Sequence, residues 1–151
     1  MTRLYLLDTN TVSYILKGTS PAARNRLATL GPEEVACLSS ITEAELWYGL
    51  ERIGGGERRR SAVDSFLGRM RVLPWGREEA AAYGVFRARQ EGLGRPLGPL
   101  DTEIAAHAIA VGAVLVISDA TFQHAVGLPG LEAWATDLRK PAAGSRGPAK
   151  G

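Results

Sequence analysis

The sequence predicts an α/β domain of three layers, with helices on both faces of a mainly parallel sheet. Short apolar runs at residues 4–7, 35–38 and 113–117 alternate with longer amphipathic stretches. A continuous apolar run is how a strand buried on both faces reads, and strand–helix alternation is the pattern of parallel sheets. The third observation is length: 151 residues suffice for one such core, with no internal repeat.

In chain order, residues 4–7 form the first strand and stop at Asp8-Thr9-Asn10, any of which can cap the next helix. That helix places Val12, Ile15 and Leu16 on one face, and Gly18 ends it. Ser20-Pro21 opens a second helix and Gly31-Pro32 closes it. After the strand at 35–38, Thr42-Glu-Ala-Glu45 matches a capping box, which puts Glu45 in the first turn of a helix over 42–50. Gly54-Gly-Gly56 breaks the chain before a helix over 57–70 that buries Val63, Phe66, Leu67 and Met70. Residues 71–73 give a short third strand. A helix over 77–91 is expected to bury Ala81, Val85 and Phe86. The Gly- and Pro-rich stretch 92–99 leads to Asp101 and an alanine-rich helix to 111; the strand at 113–117 ends at Ser118-Asp119, and 131–134 forms an edge strand.

Residues 1–138 make up this domain. Residues 139–151 form a basic, disordered tail, in which Arg139, Lys140, Arg146 and Lys150 contribute +4, leaving −2 on the remainder of a chain whose formal charge is +2. No apolar run approaches a membrane span and no signal peptide is present, so the cytoplasm is the expected location. The single cysteine, Cys37, excludes an internal disulfide and reads as core. His107 and His124 read as core or surface residues. No phosphate loop of Walker or dinucleotide type and no G-x-S-x-G serine is present.

Four acids stand out by position. Asp8 follows the first strand, Glu45 lies just after the second, Asp101 opens the alanine-rich helix and Asp119 follows the strand at 113–117. In a parallel sheet, strand ends and the starts of following helices share one edge. Each acid alone can be a helix cap, but carboxylates gathered together raise one another's pKa unless a cation neutralises them. An all-oxygen site points to Mg²⁺ or Mn²⁺ and to phosphate chemistry. Arg58, Arg59 and Arg60 are candidates for contact with a polyanionic substrate.

The motifs Leu7-Asp8-Thr9-Asn10, Thr42-x-x-Glu45-Leu46-x-x-Gly49, Leu100-Asp101-x-x-Ile104-Ala105-Ala106 and Leu115-Val116-Ile117-Ser118-Asp119-x-x-Phe122 occur in the order found in PIN-domain ribonucleases. The resemblance is nearest to VapC-type toxins of bacterial toxin–antitoxin pairs and extends to Gly130-Leu131-x-x-Trp134. It implies a Mg²⁺- or Mn²⁺-dependent endoribonuclease that blocks translation by cutting RNA, with tRNA a candidate substrate. It further implies a homodimer restrained by a VapB-type antitoxin. Asp8, Glu45 and Asp101 match the family's acids, with Glu43 the alternative to Glu45. Asp119 fills the fourth place where the family often has Thr-Asn-Asp, and Thr121 stands where an acid often precedes the Phe. Asp8 and Asp101 are the expected primary metal ligands, and Glu45 and Asp119 complete the shell or orient water. The rivals are a haloacid-dehalogenase-like phosphatase using Asp8, which wants Asp rather than Asn at position 10, and an inactive RNA-binding PIN domain.

Overall fold

A computed structural model describes residues 1–138; the expected tail over 139–151 lies outside them. Strands β1 (Arg3–Leu7), β2 (Glu34–Ser39), β3 (Arg71–Leu73), β4 (Val114–Ile117) and β5 (Leu131–Ala133) form one sheet in the order β3-β2-β1-β4-β5. Every neighbouring pair is parallel. The chain therefore builds outward from β1 in one direction through β2 and β3, then returns to β1's other side with β4 and β5. The strand order reverses between β1 and β4. That reversal, at the carboxyl ends of the strands, is where open α/β sheets leave a crevice for ligands.

The helices are α1 (Thr9–Lys17), α2 (Pro21–Ala28), α3 (Ser40–Arg52), α4 (Glu57–Arg69), α5 (Arg77–Gly92) and α6 (Pro99–Val111). Alternation along the strands divides the core into two layers. Tyr5, Leu7, Ala36, Leu38, Val114 and Val116 face Val12, Ile15, Ala23 and Phe66 of α1, α2 and α4. Leu6, Cys37, Leu115 and Ile117 face Phe86 of α5 and Ile104, Ala105 and Ala108 of α6. The three layers match the arrangement predicted from sequence. Cys37 is fully buried and donates its thiol to the Tyr5 carbonyl at 3.3 Å, and burial pushes the thiol pKa up to about 11. It is a core residue. Among the described residues no helix is long and apolar enough to cross a membrane.

Two local expectations differ from the structure. The capping box at Thr42 is not formed: Ser39, the last residue of β2, caps α3 by accepting from the Ile41 amide at 3.1 Å. The helix begins at Ser40, and Glu45 moves to its second turn. On α5, Ala81 and Val85 are exposed, and the buried positions are Glu79, Phe86 and Gln90. Two buried polar groups with tertiary partners turn that helix away from the face its apolar residues suggest.

The end of the described chain is tied back to α2. Ser20 Oγ accepts from the Ala23 amide at 3.1 Å and donates to Asp137 Oδ1 at 2.6 Å, while Asp137 Oδ2 accepts from the Ala22 amide at 3.0 Å. Ser20→Ala removes a fully buried cap and one partner of Asp137. The expected cost is about 1 kcal/mol, a melting temperature lower by roughly 2–4 °C for a chain this size, measured by thermal unfolding.

Candidate active site

Asp8 is the residue immediately after β1. Its backbone amide donates to the Val116 carbonyl of β4 at 2.9 Å, extending the ladder one residue beyond the strand. Its side chain caps α1, with Oδ1 accepting from the Thr11 amide at 2.7 Å. The carboxylate is 5% exposed, and burial pushes its pKa up to about 6. Hydrogen bonding from Thr11 and from the Ser118 amide works against that rise, and the negative charge of Asp119 adds to it. The Thr11 and Ser118 hydroxyls are 2.6 Å apart, which joins the start of α1 to the end of β4. Sequence reasoning passed over Thr11; its signal is the spacing, because an N-cap Asp accepts from the residue three positions on.

Asp119 follows β4 and caps the 3₁₀ turn Ala120–His124, accepting from the Thr121 amide at 2.8 Å. It is exposed. Asp101 lies in the first turn of α6, half-buried. Burial raises its pKa first, and the charge of Asp119 raises it further. Asp119 thus acts electrostatically on both Asp8, at the end of β1, and Asp101, in the first turn of α6.

Glu45 lies on α3, and the cavity it lines includes none of the other three acids. One turn earlier on that helix, Thr42 Oγ1 lies 3.2 Å from Thr9 Oγ1, fixing α3 against the start of α1. Glu45 lines a cavity of about 620 Å³ with Thr9, Asn10, Ser13 and Arg59. Glu43, the alternative, accepts from Trp47 Nε1 at 3.1 Å. The three arginines differ. Arg59 shares the Glu45 cavity, Arg58 is exposed, and Arg60 pairs with Glu51 at 2.7 Å and lies over the Trp47 ring. A larger cavity of about 970 Å³ lies away from the acids, among Leu16, Leu27, Phe66 and Met70.

Among the described residues, no three acids, histidines or cysteines converge closely enough to enclose a metal by themselves. The donor set nevertheless suits Mg²⁺, which keeps several waters and is held by one or two carboxylates plus substrate phosphate rather than by an all-protein cage. Burial pushes the Asp8 carboxyl up to about 6 and raises Asp101, and the negative charge of Asp119 adds to both, a balance that a bound cation would reverse.

A parallel sheet with acids gathered at its switch point defines a PIN-type domain, and the PIN-domain family matches residues 5–128. Ribonuclease VapC2 of Haemophilus influenzae is 37% identical over 112 residues, covering 74% of this chain and 83% of the relative. The tRNA(fMet)-specific endonuclease VapC of Salmonella typhimurium is 36% identical over 115 residues, covering 76% and 86%. A solved structure of VapBC2 from Rickettsia felis, bound to a DNA fragment from their promoter, superposes with a TM-score of 0.81 at 33% identity, covering 87% of this chain and 98% of that one. The chain belongs to the VapC ribonucleases of the PIN-domain family. That membership removes the phosphatase rival, and the family uses divalent metal ions generally.

Proposed function

We propose that the chain is a Mg²⁺- or Mn²⁺-dependent endoribonuclease, the toxin of a type II toxin–antitoxin pair, acting in the cytoplasm as a homodimer and cutting RNA to inhibit translation. The observation that carries this reading is the set Asp8, Asp101 and Asp119, in which burial raises the pKa of the first two and the negative charge of the exposed third adds to that rise. The relatives' names favour a tRNA substrate. The neighbours solved as VapBC assemblies favour a VapB-type antitoxin as partner.

Asp8 and Asp101 are the primary metal ligands, with Asp119 and Glu45 completing the shell or orienting the attacking water. A divalent ion bound there supplies Lewis-acid polarisation of a phosphoryl oxygen and a water of lowered pKa. The chain's own residues do the rest. Thr11 and the Ser118 amide fix the Asp8 carboxylate and hold it ionised against the pull of burial. Glu45, in a cavity with Thr9 and Asn10, would orient a water and take its proton. Arg59 in the same cavity, with Arg58 on the same helix, meets the RNA backbone, whereas Arg60 is matched by Glu51.

Incubation of the purified protein with total tRNA tests the proposal. Cleavage is expected with Mg²⁺ or Mn²⁺, to stop when EDTA is added, and to return when the metal is restored in excess. Cleavage that continues undiminished in EDTA defeats the metal assignment. A protein that binds tRNA without cutting it under any divalent metal is the inactive PIN domain instead.

A further inference from the structure

Gln90, on α5, is 1% exposed, and its amide is fully used. Nε2 donates to the carbonyls of Arg95 and His124, each at 3.0 Å, and Oε1 accepts from the Val126 amide at 3.0 Å. The Arg95 amide donates back to the Gln90 carbonyl at 2.9 Å. One buried side chain therefore clamps two segments: the loop that leads into α6 and Asp101, and the 3₁₀ turn that follows Asp119. α6 runs into β4, so its first turn and the end of β4 lie at the same edge of the sheet as the acids. The clamp presents two exposed side chains as a pair. Arg95 Nη1 lies 3.3 Å from His124 Nδ1. Arginine has only donors, so in this contact Nδ1 accepts and Nε2 is left free to donate.

Among the described residues, Arg26, Arg60 and Arg87 are each matched by a glutamate. Arg95, like Arg58, Arg59 and several other arginines, takes part in no ion pair among them; what sets it apart is the His124 imidazole beside it. A preorganised guanidinium with no carboxylate, joined to an imidazole that can supply a second donor, is a site for an oxyanion. We propose that Arg95 and His124 form a phosphate-binding subsite that grips the RNA backbone beside the scissile phosphate. This rests on the endoribonuclease reading. Its physical role follows from the acids: Asp8, Asp101 and Asp119 repel a polyanion, and a fixed cationic contact on the adjoining loops offsets that repulsion and sets the register of the strand.

The test measures binding of total tRNA to the Asp8→Asn protein, in which cleavage does not interfere, over a range of salt concentrations. Adding Arg95→Ala weakens binding roughly tenfold and lowers the slope of log affinity against log salt by about one. Arg95→Lys keeps the slope and loses part of the affinity, because the charge remains while the bidentate fork is gone. Arg87→Ala, whose charge Glu91 already matches, changes neither. With Asp8 intact, Arg95→Ala raises KM more than it lowers kcat. Unchanged affinity and slope in Arg95→Ala overturn the subsite while leaving the nuclease reading standing, provided the unsubstituted protein cuts RNA. An equal loss in Arg87→Ala overturns it too, as diffuse attraction. If the unsubstituted protein neither binds nor cuts RNA, both proposals fall together.

Discussion

Replacing Asp8 with Asn lowers RNA cleavage on the order of 10²–10³-fold, the scale for removing one preorganised electrostatic group, and at the same time makes the metal-free protein more stable at neutral pH. The second half follows from the geometry. The Asp8 carboxyl titrates at about 6 in the fold against an ordinary 3.8, chiefly because it is buried. A raised carboxyl pKa means that the folded state binds the proton more tightly than the unfolded chain. The penalty is therefore absent below 3.8, grows as pH rises through about 6, and is constant above. A shift of this size corresponds to at most about 3 kcal/mol at neutral pH. Asn cannot ionise and still offers an oxygen to the Thr11 amide. In EDTA at pH 7.5, Asp8→Asn should unfold at a higher temperature than the unsubstituted protein, with the gap closing near pH 4. Mn²⁺ should then raise the melting temperature of the unsubstituted protein and leave the variant nearly unmoved. A folded Asp8→Asn protein that cuts RNA at full rate would falsify the assignment of Asp8 as a metal ligand, and one less stable than its parent in EDTA at pH 7.5 would overturn the burial penalty.

The strands and the acids at their ends were legible because both are local signals. An apolar run closed by Asp needs no tertiary information, and a parallel sheet carries such ends to one edge. What escaped the sequence depends on partners distant in the chain. Ser39 and Thr42 both offer a cap for α3; Ser39 prevails because β2 extends through it, which also leaves its hydroxyl beside His107. On α5 the buried stripe runs through Glu79 and Gln90, so following apolar residues selects Ala81 and Val85 instead. Gln90 is buried because two loops need its amide, and Glu79 because His107 lies above it. Topology alone assigned the four acids to one rim; Asp119 acts on Asp8 and Asp101, while Glu45 lines a cavity that holds none of them. Their unequal exposure, with Asp8 buried, Glu45 and Asp101 half-buried and Asp119 exposed, follows from packing that the sequence does not display.

Replacing His107 with Ala costs about 2–4 kcal/mol at pH 7.5, the sum of a cavity and a lost buried hydrogen bond. The imidazole is fully buried on α6, with Nδ1 2.8 Å from Ser39 Oγ, the cap of α3, and Nε2 3.7 Å from Glu79 Oε1 on α5. Nε2 makes no hydrogen bond within that packing. Burial lowers the His107 pKa below 6.5, and the charge of Glu79 opposes the fall without cancelling it. The folded state therefore keeps His107 neutral at pH values where the unfolded chain protonates it. Its contribution to stability is full above 6.5 and is lost as pH falls below that value, the reverse of the Asp8 trend. Urea unfolding in the Asp8→Asn background, where the opposing titration is removed, isolates this limb: the cost of His107→Ala should shrink between pH 7.5 and pH 5. A cost that stays constant with pH, or a variant as stable as its parent, defeats the account. The same side chain holds α6, which carries Asp101, against the start of α3, which carries Glu45. Its removal should therefore lower kcat even where the variant remains folded, because it loosens the packing between the helices that carry Asp101 and Glu45.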